Sequence, residues 1–554
     1  MFYGYLHPAG GGRTPYFMRP QDIDHIGILG ADLTRPGLAQ ALLNLEPIQM
    51  TKRVILFTEV FLLRSLFENF DNTSNNERRT KMNRFSKGIL ILVSIFTFFS
   101  LMAFSPGQVL AVNAKFDFSK VSDMSDFDPS HPIIPTGDTI KIAVVAPFSG
   151  PAAIIGQVYY ISVLWATHDI NRRGGILVDG KKKLVQVIKA DTMSQPEQCK
   201  KICERMVLQE KVHVLWGTAG SNLMKIVNEV ATKYKVIAMD TAALSDELYD
   251  ATNFSRYSFM TCWSTEQIGR GIAYYYGQIR KKEKKFYIIC QDYMFGHDLA
   301  DGFKRGLKEY YPGAQIVGED YHKLFLTDFA PYLTKIKGSG TEVIYTGDFI
   351  PDAANLLKQA RQMGISLPFA HIFIDDPNTL HDVGVEGTRG LVQLTLYGTE
   401  NPTFKTPEQI KYYKAWNDLW KTKWKAPFNT WLFEHPAGGV GSYIEQTYWL
   451  YSVIERAASL DPEKIIKVWE GDSYQFSNGK IMKMRACDHK VIQDLHAVEY
   501  VPPEQQKVSF NIPPYYWFKG CSAAGPTFTI PAAKVLPLMD QKLDRCKGKN
   551  NWGE

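Results

Sequence analysis

From Thr139 onward the chain repeats one rhythm, a short apolar run followed by an amphipathic stretch, and this repeat narrows the choice of fold most. Residues 140–146, Ile-Lys-Ile-Ala-Val-Val-Ala, form the kind of run that is buried on both faces of a parallel sheet. A Ser149-Gly150-Pro151 loop follows. Val158, Ile161, Leu164, Trp165 and His168 then share one helical stripe that ends at Gly174-Gly175. Further strands are expected at 184–190, 212–216 and 236–239, with a helix at 222–234. Ser194-Gln195-Pro196-Glu197 reads as a capping box with Pro in the first turn, opening another helix through Met206. The rhythm restarts after Trp263, with strands at 286–290, 315–321, 342–345 and 369–374 and helices at 296–310, 328–337 and 351–363. Two such runs predict an α/β chain of two doubly wound parallel-sheet lobes. A helical region at about 438–458, a β-rich stretch at 469–500 and a Pro-containing tail from 501 complete the chain.

Composition removes several classes of function. The chain has 554 residues, long enough for more than one hydrophobic core. Its 63 basic and 57 acidic side chains leave +6, nothing like the footprint of a nucleic-acid binder. One apolar run alone approaches membrane length, which excludes a polytopic membrane protein. That run lies in a stretch, 82–114, that reads as a secretory signal: basic Arg84 and Lys87, the uncharged segment 88–104, Pro106-Gly107, then small residues around Ala111 and Ala114. An uncleaved anchor helix is the other reading of the same stretch. Residues 1–81 would precede the signal, and read as a non-native or disordered extension with translation starting at Met82. All seven cysteines, at 199, 203, 262, 290, 487, 521 and 546, lie beyond the signal, where disulfides can form. Cys521 and Cys546 bracket the tail and are the best pair.

No catalytic motif is legible. The loop after the first strand, Ala146-Pro147-Phe148-Ser149-Gly150-Pro151, lacks the glycines of a dinucleotide cradle, and no Walker, His-Glu-x-x-His or Gly-x-Ser-x-Gly pattern occurs. His371, Asp375, Asp376 and His381 read better as loop residues than as a metal site, and Cys199 and Cys203 as small buried hydrophobes. No cofactor is implied. A binding site is better supported. In doubly wound sheets ligands sit beyond the carboxyl ends of the strands. The third strand ends in Gly217-Thr218-Ala219-Gly220-Ser221, where a helix opens. Small side chains at Ala219 and Gly220, the Ser221 hydroxyl and the unpaired N–H groups of a helix start together suit a carboxylate. The bland reading is that Ser221 caps its helix. A second small-residue loop, 240–246, follows the fourth strand.

These features resemble a family. The stretches 140–151, 169–176 (Asp-Ile-Asn-Arg-Arg-Gly-Gly-Ile), 293–296 (Tyr-Met-Phe-Gly) and 356–364 (Leu-Leu-Lys-Gln-Ala-Arg-Gln-Met-Gly) make Thr139 to about Tyr500 similar to the type I periplasmic substrate-binding proteins of ABC importers, the leucine/isoleucine/valine-binding branch. The resemblance implies two lobes joined by a three-strand hinge, a Venus-flytrap. One lobe would take 139–262 plus 397–471, the other 263–396 plus 472–500, leaving 501–554 as a C-terminal extension. It also implies a carboxylate held by Ser221 and the Ala242-Ala243 loop, aromatic walls at Phe295 and Phe349, and an ammonium partner at Asp375 or Asp376. Three positions depart from the family. Leu244 stands where a threonine helps hold the polar head group, Phe295 replaces a hydrogen-bonding tyrosine, and Ile155 replaces a frequent aromatic. Each lost hydroxyl would cost a zwitterion about 1–3 kcal/mol unless a neighbour such as Ser245 substitutes.

The resemblance therefore implies an exported, monomeric solute-binding protein that closes its cleft on a small carboxylate, an apolar amino acid first. It would pass that ligand to an ABC permease at the inner membrane without performing chemistry. The alternatives are a ligand-sensing module on the same fold, or a binder of aromatic or aliphatic carboxylates or amides.

Overall fold

The computed structural model describes residues 3–4, 16–17, 112–396, 407–430, 433, 438–476, 479–506 and 521–554. The expected extension, 1–81, and the expected signal segment, 82–114, lie outside them apart from residues 112–114 and from β1 (Tyr3–Gly4) and β2 (Tyr16–Phe17), which pair antiparallel with each other. Those two strands belong to a unit, 1–106, separate from the body of the chain. In the body, β3 (Ala114–Lys115) is followed by β4 (Ile140–Ala146) and α1 (Ala153–Arg172). Next come the hairpin β5 (Ile176–Val178) and β6 (Lys181–Lys183), then β7 (Val185–Asp191), α2 (Pro196–Leu208) and β8 (Val214–Gly217). Helix α3 (Ser221–Tyr234), β9 (Ile237–Asp240) and β10 (Ser258–Met260) close the first run.

The parallel sheet of this run has the order β10-β9-β8-β4-β7. The first strand lies inside, so the chain winds outward in both directions and leaves a crevice where β4 and β8 adjoin. β4 is fully apolar on both faces, except for Lys141, because α1 covers one face and α2 and α3 the other.

The second run starts with α4 (Thr265–Tyr274), whose capping box joins Ser264 and Gln267. It continues through β11 (Lys285–Gln291), α5 (Met294–Tyr310), β12 (Gln315–His322) and α6 (Ala330–Gly338). β13 (Val343–Tyr345), α7 (Asp352–Gln362), β14 (Phe369–His371), α8 (Pro377–Thr388) and β15 (Val392–Thr395) follow. The order β12-β11-β13-β14-β15 repeats that of the first lobe, with a crevice between β11 and β13.

The remaining elements return to the first lobe before crossing again. α9 (Pro407–Thr422), α10 (Gly438–Ala457) and α11 (Pro462–Trp469) lead to β16 (Ser473–Gln475), β17 (Ile481–Met484) and β18 (Val491–Ile492). α10 packs on α1, and Tyr412 and Trp416 of α9 set their rings 5.4 and 5.0 Å from that of Trp165. Burial of α1 therefore runs unbroken from Tyr159 to Thr167, not along the single stripe that the sequence predicts. The expected boundary at 471/472 also moves. Tyr474, Phe476, Met482, Met484 and Val491 are packed in the first core, and the chain enters the second sheet only at β19 (Leu495–Val501).

β19 runs antiparallel to β15, and β20 (Ala523–Ile530) pairs along its other side. This carries Cys521 into the core of the second lobe, whereas the tail turns back toward loop 485–490. Cys546 is bonded to Cys487, with Cα atoms 5.1 Å apart, and not to Cys521 as expected. The capping box expected at Ser194 is absent as well. Ser194 has φ 56°, Gln195 takes the cap position, and it makes no side-chain bond. Among the described residues, no helix is long and apolar enough to cross a membrane.

Candidate functional site

The loops leaving the carboxyl ends of β4, β8 and β9 share a cavity of about 210 Å³ with those leaving β11, β13 and β14. The first lobe contributes Ile155, Ala219, Gly220, Ser221, Ala242 and Leu244. Tyr293 and Phe295 come from the turn after β11, Phe349 and Ile350 from the loop after β13, and Asp375 from the loop after β14. Both crevices of the doubly wound sheets thus open into one space.

On the first wall Gly220 is the N-cap of α3, with φ 92°, a conformation that glycine adopts without strain. Ser221 is the first helical residue, and no side-chain cap bond forms, so the capping role does not occupy its hydroxyl. Its Oγ accepts the Ser245 N–H at 3.3 Å, and the hydroxyl proton is left for another acceptor. Ser221 is buried, at 1% exposed. Thr241, beside it on the wall, is also buried, and its hydroxyl has no partner.

Beneath the second loop, Asp240 accepts the Ala243 N–H at 2.9 Å and the Ala242 N–H at 3.3 Å. Burial raises its pKa to about 8. The group is therefore mostly protonated at neutral pH and adds little negative charge under the wall.

On the second wall, Gln393 Nε2 donates to Asp375 Oδ2 at 2.8 Å. Burial raises the Asp375 pKa to about 6, against the lowering effect of that bond. Among the described residues lining the cavity there is no Lys or Arg, so Asp375 is its one formal charge. The rest of the surface is mainly apolar, including Leu244, Trp263, Phe295, Phe349 and Ile372. The chemistry is that of a receptor: a donor-rich start of a helix, an acceptor opposite, and an oily middle.

A family model described as periplasmic binding protein matches residues 139–506. The chain belongs to this family. An amino acid binding protein of Pseudomonas aeruginosa is 29% identical over 235 residues, which cover 42% of this chain and 59% of that protein. A leucine-, isoleucine-, valine-, threonine- and alanine-binding protein of the same organism is 23% identical over 344 residues, covering 62% of this chain and 85% of the relative. Among solved structures, the solute-binding protein of an ABC transporter from R. palustris, in complex with 4-hydroxybenzoate, superposes with a TM-score of 0.56 at 21% identity. That superposition covers 71% of this chain and 97% of the other.

Within this periplasmic binding protein, nine of the residues singled out from sequence meet at the cavity: Ser221, Gly220, Ala219, Ala242, Leu244, Ile155, Phe295, Phe349 and Asp375. Ala243 does not line it, because its side chain is packed into the core behind the loop. Asp376 does not either. Its carboxylate caps α8, accepting from the Thr379 N–H at 3.0 Å and the Thr379 hydroxyl at 2.6 Å. Ser245 fails as the substitute for the missing threonine, since its hydroxyl donates to Asp298. His371, once considered for metal, is buried and accepts the Ile374 N–H on Nδ1, and burial depresses its pKa to about 3.

Trp263, buried where the chain leaves the first lobe, also lines the cavity. Sequence reasoning missed Ser442, Tyr443 and Gln446 of α10, together with Gln393 and Thr395 of β15. The one available signal was positional: Ser442 and Gln446 lie one turn apart, and Gln393 and Thr395 alternate with apolar Val392 and Leu394.

Proposed function

We propose that this chain is an extracytoplasmic solute-binding protein that captures an α-amino acid with an apolar side chain and presents it to an ABC permease. One observation carries the reading. The cavity joins the opening of α3, with the free Ser221 proton, to a single carboxylate at Asp375, across apolar walls. A zwitterion fits that polarity, its carboxylate toward Ser221 and its ammonium toward Asp375. Ligand contacts are complete only when both lobes meet it, so binding shifts the population toward the closed form. No bond is made or broken in that cycle. Export through the segment at 82–114, action as a monomer and delivery to the permease belong to the same proposal.

A second reading, an aromatic carboxylate, is favoured by two specific features. Leu244 and Phe295 lack the family's hydroxyls, and the R. palustris neighbour is in complex with 4-hydroxybenzoate.

Titration of Asp375 separates the two. Its pKa of about 6 makes it mostly neutral at pH 5 and mostly ionised at pH 7. An ammonium ligand gains from the ionised form, so L-leucine and L-phenylalanine should bind up to about tenfold more tightly at pH 7 than at pH 5. Benzoate and 4-hydroxybenzoate should change in the opposite direction. Titration calorimetry at both pH values, backed by thermal shift, is the measurement. An amino acid whose affinity ignores this interval removes Asp375 from the ammonium site. Tight benzoate binding with no amino-acid binding replaces the first reading by the second.

A further inference from the structure

Ser245 and Asp298 form a link that the cavity residues alone do not explain. Ser245 sits in the loop after β9 of the first lobe, and Asp298 in the second turn of α5, whose first turn carries Phe295 of the cavity wall. The Ser245 hydroxyl donates to Asp298 Oδ2, and the Glu247 N–H reaches the same carboxylate oxygen at 3.3 Å. Ser245 is fully buried, and its own N–H is the group that donates to Ser221 Oγ. A continuous chain therefore runs from a carboxylate on the second lobe, through the loop 245–247, to the hydroxyl at the opening of α3.

The direction of each bond matters. Ser221 Oγ is an acceptor toward Ser245, so its proton is free to donate into the cavity. Without Asp298, the Ser245 hydroxyl and the Glu247 N–H lose their shared acceptor across the lobe boundary. The Glu247 N–H keeps only the Ser245 Oγ, 3.3 Å away, and the loop is then held by its bonds to the start of α4 and to Lys490. Those bonds are well defined: the Thr265 N–H donates to Leu244 O at 2.7 Å, and Asp246 is bonded to Lys490 and to the Glu266 N–H.

We infer that Asp298 is a positioning residue for ligand capture, acting through Ser245 to orient the Ser221 hydroxyl. The inference rests on the reading of Ser221 as a donor to ligand. It adds that the second lobe sets the donor on the first, so the anion site is complete only with both lobes in place.

The test uses the full chain with L-leucine and L-phenylalanine as probes, alongside benzoate and 4-hydroxybenzoate. Asp298→Ala should weaken binding about tenfold, while Asp298→Asn, which keeps an acceptor oxygen, should stay within about threefold of the parent. A residue acting through Ser221 loses its effect once Ser221 is gone. In a Ser221→Ala background, Asp298→Ala should therefore weaken binding by less than about twofold more. A merely structural role gives additive losses, and that result overturns the assignment. The second readout needs no ligand. Hydrogen exchange over 244–247 should accelerate in Asp298→Ala and not in Asp298→Asn; unchanged exchange breaks the link. If no probe binds the parent protein, the proposed function fails, and exchange still decides whether Asp298 holds the loop.

Discussion

Asp240 shows how much a single buried group can impose on this molecule. It lies at the end of β9, unexposed, with its carboxyl group turned toward the Ala242 and Ala243 N–H groups and the Tyr249 hydroxyl. A pKa raised from 3.8 to about 8 means that the folded state holds this proton more tightly than the unfolded chain does. The contribution to stability is full below the unfolded pKa and is lost as pH rises through about 8. The melting temperature should therefore decline as pH is raised from about 5 to about 8, and Asp240→Asn should flatten that slope in a calorimetric series. Ser221→Ala makes a complementary prediction. Because Gly220 holds the cap position, the substitution should leave the stability of the unliganded chain within about 1 kcal/mol of the parent while weakening ligand binding about tenfold. Small residues and a hydroxyl after β8 marked this site in the sequence. The choice between Asp375 and Asp376 was not marked, since it turns on which carboxylate the Thr379 N–H captures.

Among the elements, α1 departs furthest from a simple amphipathic pattern. A lone surface helix needs one apolar stripe; α1 lies between a sheet and α10, so its outward residues are buried too. Trp165 is the centre of this arrangement, fully buried, with the rings of Phe127, Tyr412 and Trp416 within 5.4 Å. Trp165→Ala should cost about 3–5 kcal/mol, read from urea unfolding of the unliganded chain. The helix starts carry a similar lesson. Ser194 and Ser264 both stand ahead of helices, but only Ser264 is in extended backbone and can reach its N3 amide. Local pattern proposes a cap, and the backbone angle of the preceding turn decides whether it forms.

For the whole molecule, the C-terminal tail ties the lobes together. β20 extends the second sheet, the Tyr310 hydroxyl of α5 donates to Lys534 O, and Lys490 donates to Leu538 O beside the chain crossing. Asp540 then accepts the Ala251 N–H of the first lobe, and Cys546 closes on Cys487. With the two cysteines 59 positions apart in sequence, replacing Cys487 by Ser should cost about 4 kcal/mol in the chain-entropy view. Denaturant unfolding with and without reductant measures it, and reductant should leave the Cys487→Ser variant unchanged. Sequence alone was enough for the alternation of strands and helices, the winding of two lobes and the small-residue loop after β8 that lines the cavity, because periodicity and turn chemistry are local. Tertiary structure decided the disulfide partner, the return of 473–492 to the first lobe, and the polar lining from α10 and β15. Each of those depends on segments far apart in the chain arriving side by side, and no local pattern of residues encodes that arrival.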